Sequence, residues 1–128
     1  MKILLLEDDP DISFIYTRQL QKATFEVDAF SLGKDAVDAA TKSHYDIALI
    51  DVMLPDTNGI EVIKQIKQLP TSDSMTIIML SNMGNESIVD EAKKIGADDY
   101  LIKSSMNPEE LIEQIKHIHE TKNNIATS

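Results

Sequence analysis

The fold is decided by the stretch DVMLPDTNG at residues 51–59, which joins a short apolar run to a helical pattern. The preceding run, IALI at residues 47–50, is uncharged and rich in strand-forming residues, which is typical of a strand buried on both faces. Pro55 and the Asn-Gly pair at 58–59 then interrupt regular structure. We therefore expect Asp51 at the carboxyl end of a central strand, where open parallel sheets bind their ligands. From this stretch alone, an aspartate that merely ends a strand and begins a turn explains the pattern equally well.

Four other segments also have the pattern of strands. Residues 3–6 and 76–80 are apolar runs, whereas residues 26–30 alternate and residues 99–103 are more polar. A helical apolar stripe follows each strand, and this order predicts a five-stranded parallel sheet with five helices on its two faces, an α/β fold. Because polar strands belong at sheet edges, we expect the second and fifth strands there and the other three inside.

Helix ends are indicated by capping residues. Ser31 is expected to cap the second helix, and Gly96 to end the fourth in the left-handed conformation. The last helix is expected to end near residue 120, with His117 and His119 close to its carboxyl end, where positive charge favours the helix dipole. We therefore expect a domain over residues 1–120 and a frayed polar tail over residues 121–128.

Length and composition indicate one globular domain, since 42% of the 128 residues are hydrophobic and can form a core. The formal net charge of −10 disfavours direct binding to nucleic acid or to an anionic membrane, and it suits a cation or a basic protein surface. The chain has no cysteine, which excludes disulfides and thiolate chemistry. No apolar stretch approaches the length of a membrane span, and the acidic residues at 7–9 come too early for a signal peptide, so we expect a cytoplasmic protein.

Charged and hydroxyl side chains follow the strands that are predicted to be neighbours. Glu7 and Asp8 follow the first strand, Asp51 the third and Ser81 the fourth, and Lys103 ends the fifth. Helix capping and the helix dipole account for one or two acids after the first strand, less easily for the three at residues 7–9. Carboxylates this close repel one another, and a divalent cation such as Mg²⁺, which prefers oxygen ligands, relieves the repulsion. A lysine and a hydroxyl then remain to hold the oxygens of a tetrahedral anion.

Over residues 1–120 the sequence resembles the receiver domain of response regulators, the phosphoacceptor proteins of two-component signalling. The resemblance rests on several motifs in order: LEDDP at 6–10, DVMLP at 51–55 with Asn-Gly at 58–59, Leu-Ser at 80–81, and GADDY at 96–100 followed by Lys103. It implies a flavodoxin-like strand order, 2-1-3-4-5.

The resemblance also implies roles for the residues at the strand ends. Asp51 would accept a phosphoryl group from a sensor histidine kinase or a histidine phosphotransfer protein. Glu7, Asp8, Asp51 and the backbone carbonyl of Met53 would hold Mg²⁺, for which Mn²⁺ can substitute, with Asp8 a direct ligand and Glu7 acting through water. Lys103 and a hydroxyl residue would grip the phosphoryl oxygens.

Ser81 matches that hydroxyl residue, and with Tyr100 it forms the switch that the resemblance implies. Phosphorylation would draw Ser81 toward the phosphate and let Tyr100 turn inward, which repacks the surface of the fourth helix, fifth strand and fifth helix for an unknown downstream protein. The protein would catalyse its own phosphorylation. Its self-dephosphorylation is expected to be slow, because Met53 and Met83 flank the approach of water and a thioether is only a weak hydrogen-bond acceptor.

Three features depart from the family pattern. Lys103 is followed by Ser104 where the family typically has a cis proline, and a trans bond is expected because a non-proline cis bond costs about 2.5–4 kcal/mol. Asn82 replaces the small residue that usually follows the hydroxyl residue, which would narrow access to Asp51. The loop of residues 104–107 looks longer than in the DNA-binding subgroup. The last helix also has Gln114 and Thr121 where that subgroup tends to carry arginines for dimer salt bridges, so we expect a monomer or a weak phosphorylation-dependent dimer.

Other classes of protein fit the residues less well. A phosphatase of the haloacid dehalogenase type needs a second acid two residues after the strand-end aspartate, and Met53 stands there. A flavodoxin needs a glycine- and hydroxyl-rich phosphate loop after its first strand, and a nucleotide-binding P-loop is absent from the sequence. Two alternatives stay open: a receiver-fold interaction module that is not phosphorylated, and a receiver fragment of a longer regulator with an effector domain.

Overall fold

A computed structural model describes residues 1–82 and 86–127, with side chains as far as residue 123. Five strands form one parallel sheet in the order β2-β1-β3-β4-β5, which confirms the predicted fold class and strand order. Strands and helices alternate along the chain: β1 (Lys2–Leu6), α1 (Pro10–Lys22), β2 (Glu26–Phe30), α2 (Gly33–Lys42), β3 (Ile47–Asp51), α3 (Gly59–Lys67), β4 (Thr76–Ser81), α4 (Glu86–Lys94), β5 (Asp99–Ile102) and α5 (Pro108–Thr127).

The core consists of two apolar layers, one on each face of the sheet. Alternate residues of the inner strands point to opposite faces, so Leu4 and Ile50 pack under α2, α3 and α4, whereas Leu5 and Leu49 pack under α1 and α5. Every residue of β3 and β4 is buried, and β2 at one edge is only partly covered. The central strands are therefore held from both faces, and their carboxyl ends are set firmly at one edge of the sheet.

Among the helix starts that the structure describes, those of α1, α3 and α5 are capped by the side chain of the preceding residue, and that of α2 is not. Asp9 accepts hydrogen bonds from the backbone N–H groups of Asp11 and Ile12 and so caps α1. The prediction that Ser31 caps α2 is wrong, because Leu32 occupies the N-cap position and its side chain has no polar atom. Gly96 ends α4 with φ +109°, as the left-handed cap requires.

The last helix is longer than predicted, since α5 continues to Thr127 and residues 121–127 are helical instead of frayed. The boundary expected at residue 120 thus falls inside a helix. Lys122 holds the additional helical turns against the residues that precede β4 and β5. Its Nζ donates to the Met75 carbonyl at 2.6 Å and to the Asp98 carboxylate at 3.0 Å. Both contacts join residues far apart in sequence, which is why the local polar composition gave no sign of them.

His119 is also placed differently from the expectation that it would carry charge near a helix end. It is buried in the middle of α5, where its Nδ1 lies 2.8 Å from the Thr76 hydroxyl and its Nε2 lies 3.0 Å from the Asn123 side-chain amide. Burial lowers the pKa of His119 below its ordinary value. The imidazole is therefore held neutral by the fold.

This burial predicts a pH-dependent stability. The folded-state pKa of His119 is depressed, so its contribution to stability is present above the ordinary histidine pKa of about 6.5 and is lost as pH falls below it. His119→Gln should make the free energy of unfolding fall less steeply between about pH 7 and 5 than in the wild type, as measured by urea denaturation. His117→Gln is the matched control, since His117 is exposed on the same helix; equal slopes in all three proteins would contradict the assignment.

Candidate functional site

Five side chains that the sequence analysis selected lie together at the carboxyl ends of the strands. Glu7 follows β1, Asp51 and Ser81 end the neighbouring strands β3 and β4, and Lys103 follows β5. These four residues are buried, with exposures of 2%, 7%, 9% and 8%, whereas Asp8 is exposed. All five, together with Met53, line one cleft. The parallel order of the sheet therefore brings together residues that lie as much as 96 positions apart.

The Lys103 ammonium lies between two buried carboxylates. Its Nζ donates a short hydrogen bond to Glu7 and a second one of 3.1 Å to Asp51 Oδ2. Burial alone would lower the pKa of Lys103, but the hydrogen bond to Glu7 and the negative charges of both acids outweigh it and raise the pKa. The lysine is therefore firmly cationic.

One ammonium does not balance the negative charge around it. Burial, reinforced by the charge of Asp51, raises the pKa of Glu7 despite the hydrogen bond from Lys103. Carboxylate oxygens of Glu7, Asp8 and Asp51 all lie within 4.8 Å of one another. Three acids against one lysine leave the site short of positive charge, and a cluster of hard oxygen donors is the kind that Mg²⁺ prefers. The donor set therefore fits a divalent cation.

Asp9 is the member of the acidic triplet that does not join this cluster, since its carboxylate caps α1. Its backbone N–H donates to Glu7 Oε1 at 3.2 Å and so helps to orient that side chain. Both roles that the sequence analysis considered for the triplet, helix capping and cation binding, therefore have candidates: one acid caps a helix and two face the cleft.

The loop after Asp51 returns tightly on itself. The Gly59 N–H donates to the Val52 carbonyl at 2.8 Å, and Met53 pairs with Asn58 in a short antiparallel bridge. A Cβ atom on Gly59 would lie 2.4 Å from the Asp51 carbonyl oxygen, so this position requires glycine because of the close backbone approach. The Met53 side chain is 73% exposed at the rim of the cleft.

The remaining predicted residues lie near the cleft or outside the described part of the chain. Tyr100 is half-buried on β5 and packs against the apolar layer under α4. The Lys103–Ser104 bond is trans, as predicted, and the Ser104 hydroxyl donates to the Asn82 carbonyl at 3.3 Å. Met83, the second predicted flanking residue, lies outside the described residues.

The model of the response regulator receiver domain family matches residues 3–116. The chain belongs to this family. Among its relatives, it is 31% identical to the transcriptional regulatory protein ResD of Bacillus subtilis over 90% of this chain and 46% of that protein. It is 34% identical to the phosphate regulon transcriptional regulatory protein PhoB of Rhizobium meliloti over 84% of this chain and 48% of that protein. The chain therefore spans about half the length of these relatives.

A solved structure of a receiver protein has nearly the same extent as this chain. The chemotaxis response regulator CheY4 of Vibrio cholerae superposes with a TM-score of 0.86 at 28% identity, covering 91% of this chain and 97% of that one. Receiver domains typically bind Mg²⁺ and work with histidine kinases or phosphotransfer proteins. In the described part of this receiver domain, none of the helices is both long and apolar enough to cross a membrane.

The buried lysine predicts a large effect on stability. Lys103→Met should lower the free energy of unfolding by about 3 kcal/mol in the presence of a chelator, because it leaves Glu7 and Asp51 buried without their cationic partner. Urea denaturation followed by circular dichroism measures this loss. Lys64→Met removes an exposed ion pair with Glu61 and should cost less than about 1 kcal/mol. A similar small loss for both variants would show that the buried contacts of Lys103 contribute little.

Proposed function

We propose that the protein is a phosphoacceptor response regulator in which Asp51 takes a phosphoryl group from the phosphohistidine of a sensor kinase or a histidine phosphotransfer protein. The observation that carries this proposal is the buried Asp51 carboxylate at the end of β3, bonded to Lys103 and adjacent to Glu7 and Asp8. A carboxylate in such a position is a nucleophile held beside a fixed cation.

The proposed cation ligands are Glu7, Asp8, Asp51 and the backbone carbonyl of Met53, and Mg²⁺ is the expected ion, with Mn²⁺ as a substitute. The clustered carboxylates support this assignment for three of the four residues. When bound, the cation supplies positive charge that offsets the acids and the oxygens of an incoming phosphoryl group. Asp8, which is exposed at the cleft, is the proposed direct ligand, and buried Glu7 acts through water.

The proposed transfer forms one bond and breaks one bond. An Asp51 carboxylate oxygen attacks phosphorus, the P–N bond to the donor histidine breaks, and the imidazole nitrogen keeps the electron pair and takes up a proton. Lys103 already donates to Asp51, and it is placed to donate to a phosphoryl oxygen once that group arrives. The Ser81 hydroxyl, from the next strand, is the second proposed donor. Positioning and charge stabilisation of this kind supply most of the catalysis in phosphoryl transfer.

The proposed output is a change of surface at α4, β5 and α5. Movement of Ser81 toward the phosphate would open space for Tyr100, which lies half-buried on β5 against the layer under α4. Phosphorylation would then bias two arrangements of this surface, which a downstream protein distinguishes. We expect a monomer or a weak phosphorylation-dependent dimer that acts in the cytoplasm without direct contact to nucleic acid or membrane.

A second candidate function is supported by the extent of the relatives. Because the chain spans about half of ResD and PhoB, it also fits the receiver part of a longer regulator with an effector domain. Both candidates place the same chemistry at Asp51 and differ only in what reads the switched surface.

Phosphorylation is expected to occur at Asp51 alone and to need a divalent cation. Intact-mass measurement after incubation with acetyl phosphate and Mg²⁺ should show the gain of one phosphoryl group in the wild type and none in Asp51→Asn or with a chelator. Asp8→Asn should weaken Mg²⁺ binding by about tenfold or more, since even outer-shell partners of a metal contribute about 10–100-fold. Asp73→Asn, at an exposed acid far from the cleft, serves as the control. A phosphoryl-sized mass gain in Asp51→Asn would refute the assignment.

The lifetime of the phosphorylated state is expected to be long. The exposed Met53 thioether shields the cleft by bulk but is a poor acceptor for orienting an attacking water. Combining Met53→Asn with Met83→Glu should speed release of phosphate from the purified phosphoprotein by several-fold, because positioning of water is one of the few means a protein has in this reaction. Ile15→Asn, a polar change on exposed α1 surface, is the control. If the double variant releases phosphate at the wild-type rate, the methionines do not set the lifetime.

A further inference from the structure

Asp56 lies at the tip of the loop after Asp51 and reaches a different helix. Its Oδ1 accepts a hydrogen bond of 2.9 Å from the Gly33 N–H, and its Oδ2 accepts one of 3.1 Å from the Lys34 N–H. These bonds and the nearby Lys34 charge lower the pKa of Asp56. Asp56 therefore caps α2, whose own N-cap residue, Leu32, has no polar side chain for that purpose.

The same loop is held at its base by its own backbone. The bond from Gly59 N–H to the Val52 carbonyl and the bridge between Met53 and Asn58 close the loop where it leaves the sheet. Asn58 in turn caps α3 by accepting from the Glu61 N–H at 3.0 Å. One loop thus caps two helices, α3 from its base and α2 from its tip.

Side-chain packing reinforces the contact at the tip. A Cβ atom on Gly33 would lie 2.4 Å from Thr57 Cγ2 and 2.9 Å from Val62 Cγ2. The backbone of α2 therefore rests directly on the loop and on α3, with no room for a side chain between them. A change in the position of this helix end must be accompanied by a change in the loop.

We propose that Asp56 is a positioning residue for the cation site, which it orders by fastening the loop of residues 52–58 to the first turn of α2. The proposal rests on the function proposed above, in which the Met53 carbonyl of this loop is a cation ligand. Met53 belongs to the bonded base of the loop, and the contact of Asp56 with α2 holds the tip of the same loop. Without the tip contact, only the bonds at the base restrain the backbone that carries the carbonyl, and the remaining entropy of ordering it must be lost on binding.

The coupling works in both directions. If the cap favours the loop geometry that binds the cation, the cation must favour the cap by the same factor. Cation binding should therefore slow hydrogen exchange of the Gly33 and Lys34 amides, although these amides belong to α2 and not to the cleft. The first turn of α2 is then a second region, apart from the α4, β5 and α5 surface, whose dynamics change when the cation binds.

The experiment compares Asp56→Ala with Asp56→Asn, which keeps a side-chain oxygen able to cap a helix. Mg²⁺ titration by calorimetry should show about fivefold weaker binding for Asp56→Ala, the factor that corresponds to a typical N-cap free energy. Asp56→Asn should bind within about twofold of the wild type. Asp35→Ala is the matched control, because it removes an acid from the first turn of the same helix without touching the loop.

Amide hydrogen exchange provides a readout apart from cation binding. The Met53 and Gly33 amides should exchange faster in Asp56→Ala than in Asp35→Ala or the wild type, with or without Mg²⁺. Gly33→Ala offers a second variant if Asp56→Ala fails to fold, since its Cβ displaces Thr57 while alanine favours the helix, and it should also weaken Mg²⁺ binding.

If Asp56→Ala binds Mg²⁺ with the wild-type affinity and its Met53 amide exchanges at the wild-type rate, the inference is wrong. Equal weakening by Asp56→Ala and Asp56→Asn would overturn it as well, because the capping bond that an asparagine oxygen can still accept would then contribute nothing. A wild-type protein that binds no Mg²⁺ would overturn the proposed function instead, and the exchange rates alone would then decide whether Asp56 orders the loop.

Discussion

The contact of the buried Lys103 ammonium with Glu7 and Asp51 is the interaction on which the site depends. It joins the end of the edge strand β5 to the ends of the central strands β1 and β3. The shape of the cleft therefore depends on the order of the strands in the sheet. Buried ion pairs are inefficient stabilisers, because the desolvation cost rivals the attraction between the charges. A set of acids that exceeds its lysine is therefore better explained by chemistry than by stability.

The amino-terminal and carboxyl ends of the strands differ in how acidic side chains are matched by basic ones. At the amino-terminal edge, Asp98 is matched by Lys122, and the neutral His119 is satisfied by the Thr76 hydroxyl. At the carboxyl edge, the acids outnumber the lysine that meets them. Because both edges are built from the same strands, this contrast comes from the residues that follow the strands and not from the fold. A cation that binds the acids at the carboxyl ends would therefore stabilise the folded state.

The fold and most of the site were predictable because their signals are local. Strands β3 and β4 are continuous apolar runs, and Asp51 and Ser81 come at their ends, so strand order alone places the two residues side by side. The trans bond before Ser104 follows from the general cost of a cis bond. The length of α5 was not predictable in this way, since residues 121–127 carry no apolar stripe and depend on contacts of Lys122 with the strand region.

The role of Asp56 was not predicted for the same reason, because its contacts also join residues far apart in sequence. An aspartate after proline in a turn usually bonds its own backbone, which is the simplest interpretation of the stretch from 55 to 59. Its carboxylate also accepts from two backbone N–H groups that lie 22 and 23 positions earlier in the chain, on α2. The motif therefore indicates the proposed nucleophile and its chemistry, whereas the contact that we propose to support the loop comes from a helix that the motif does not include. Placement of that helix depends on its packing against the sheet and α3, so tertiary structure adds to the local bonds that hold the loop.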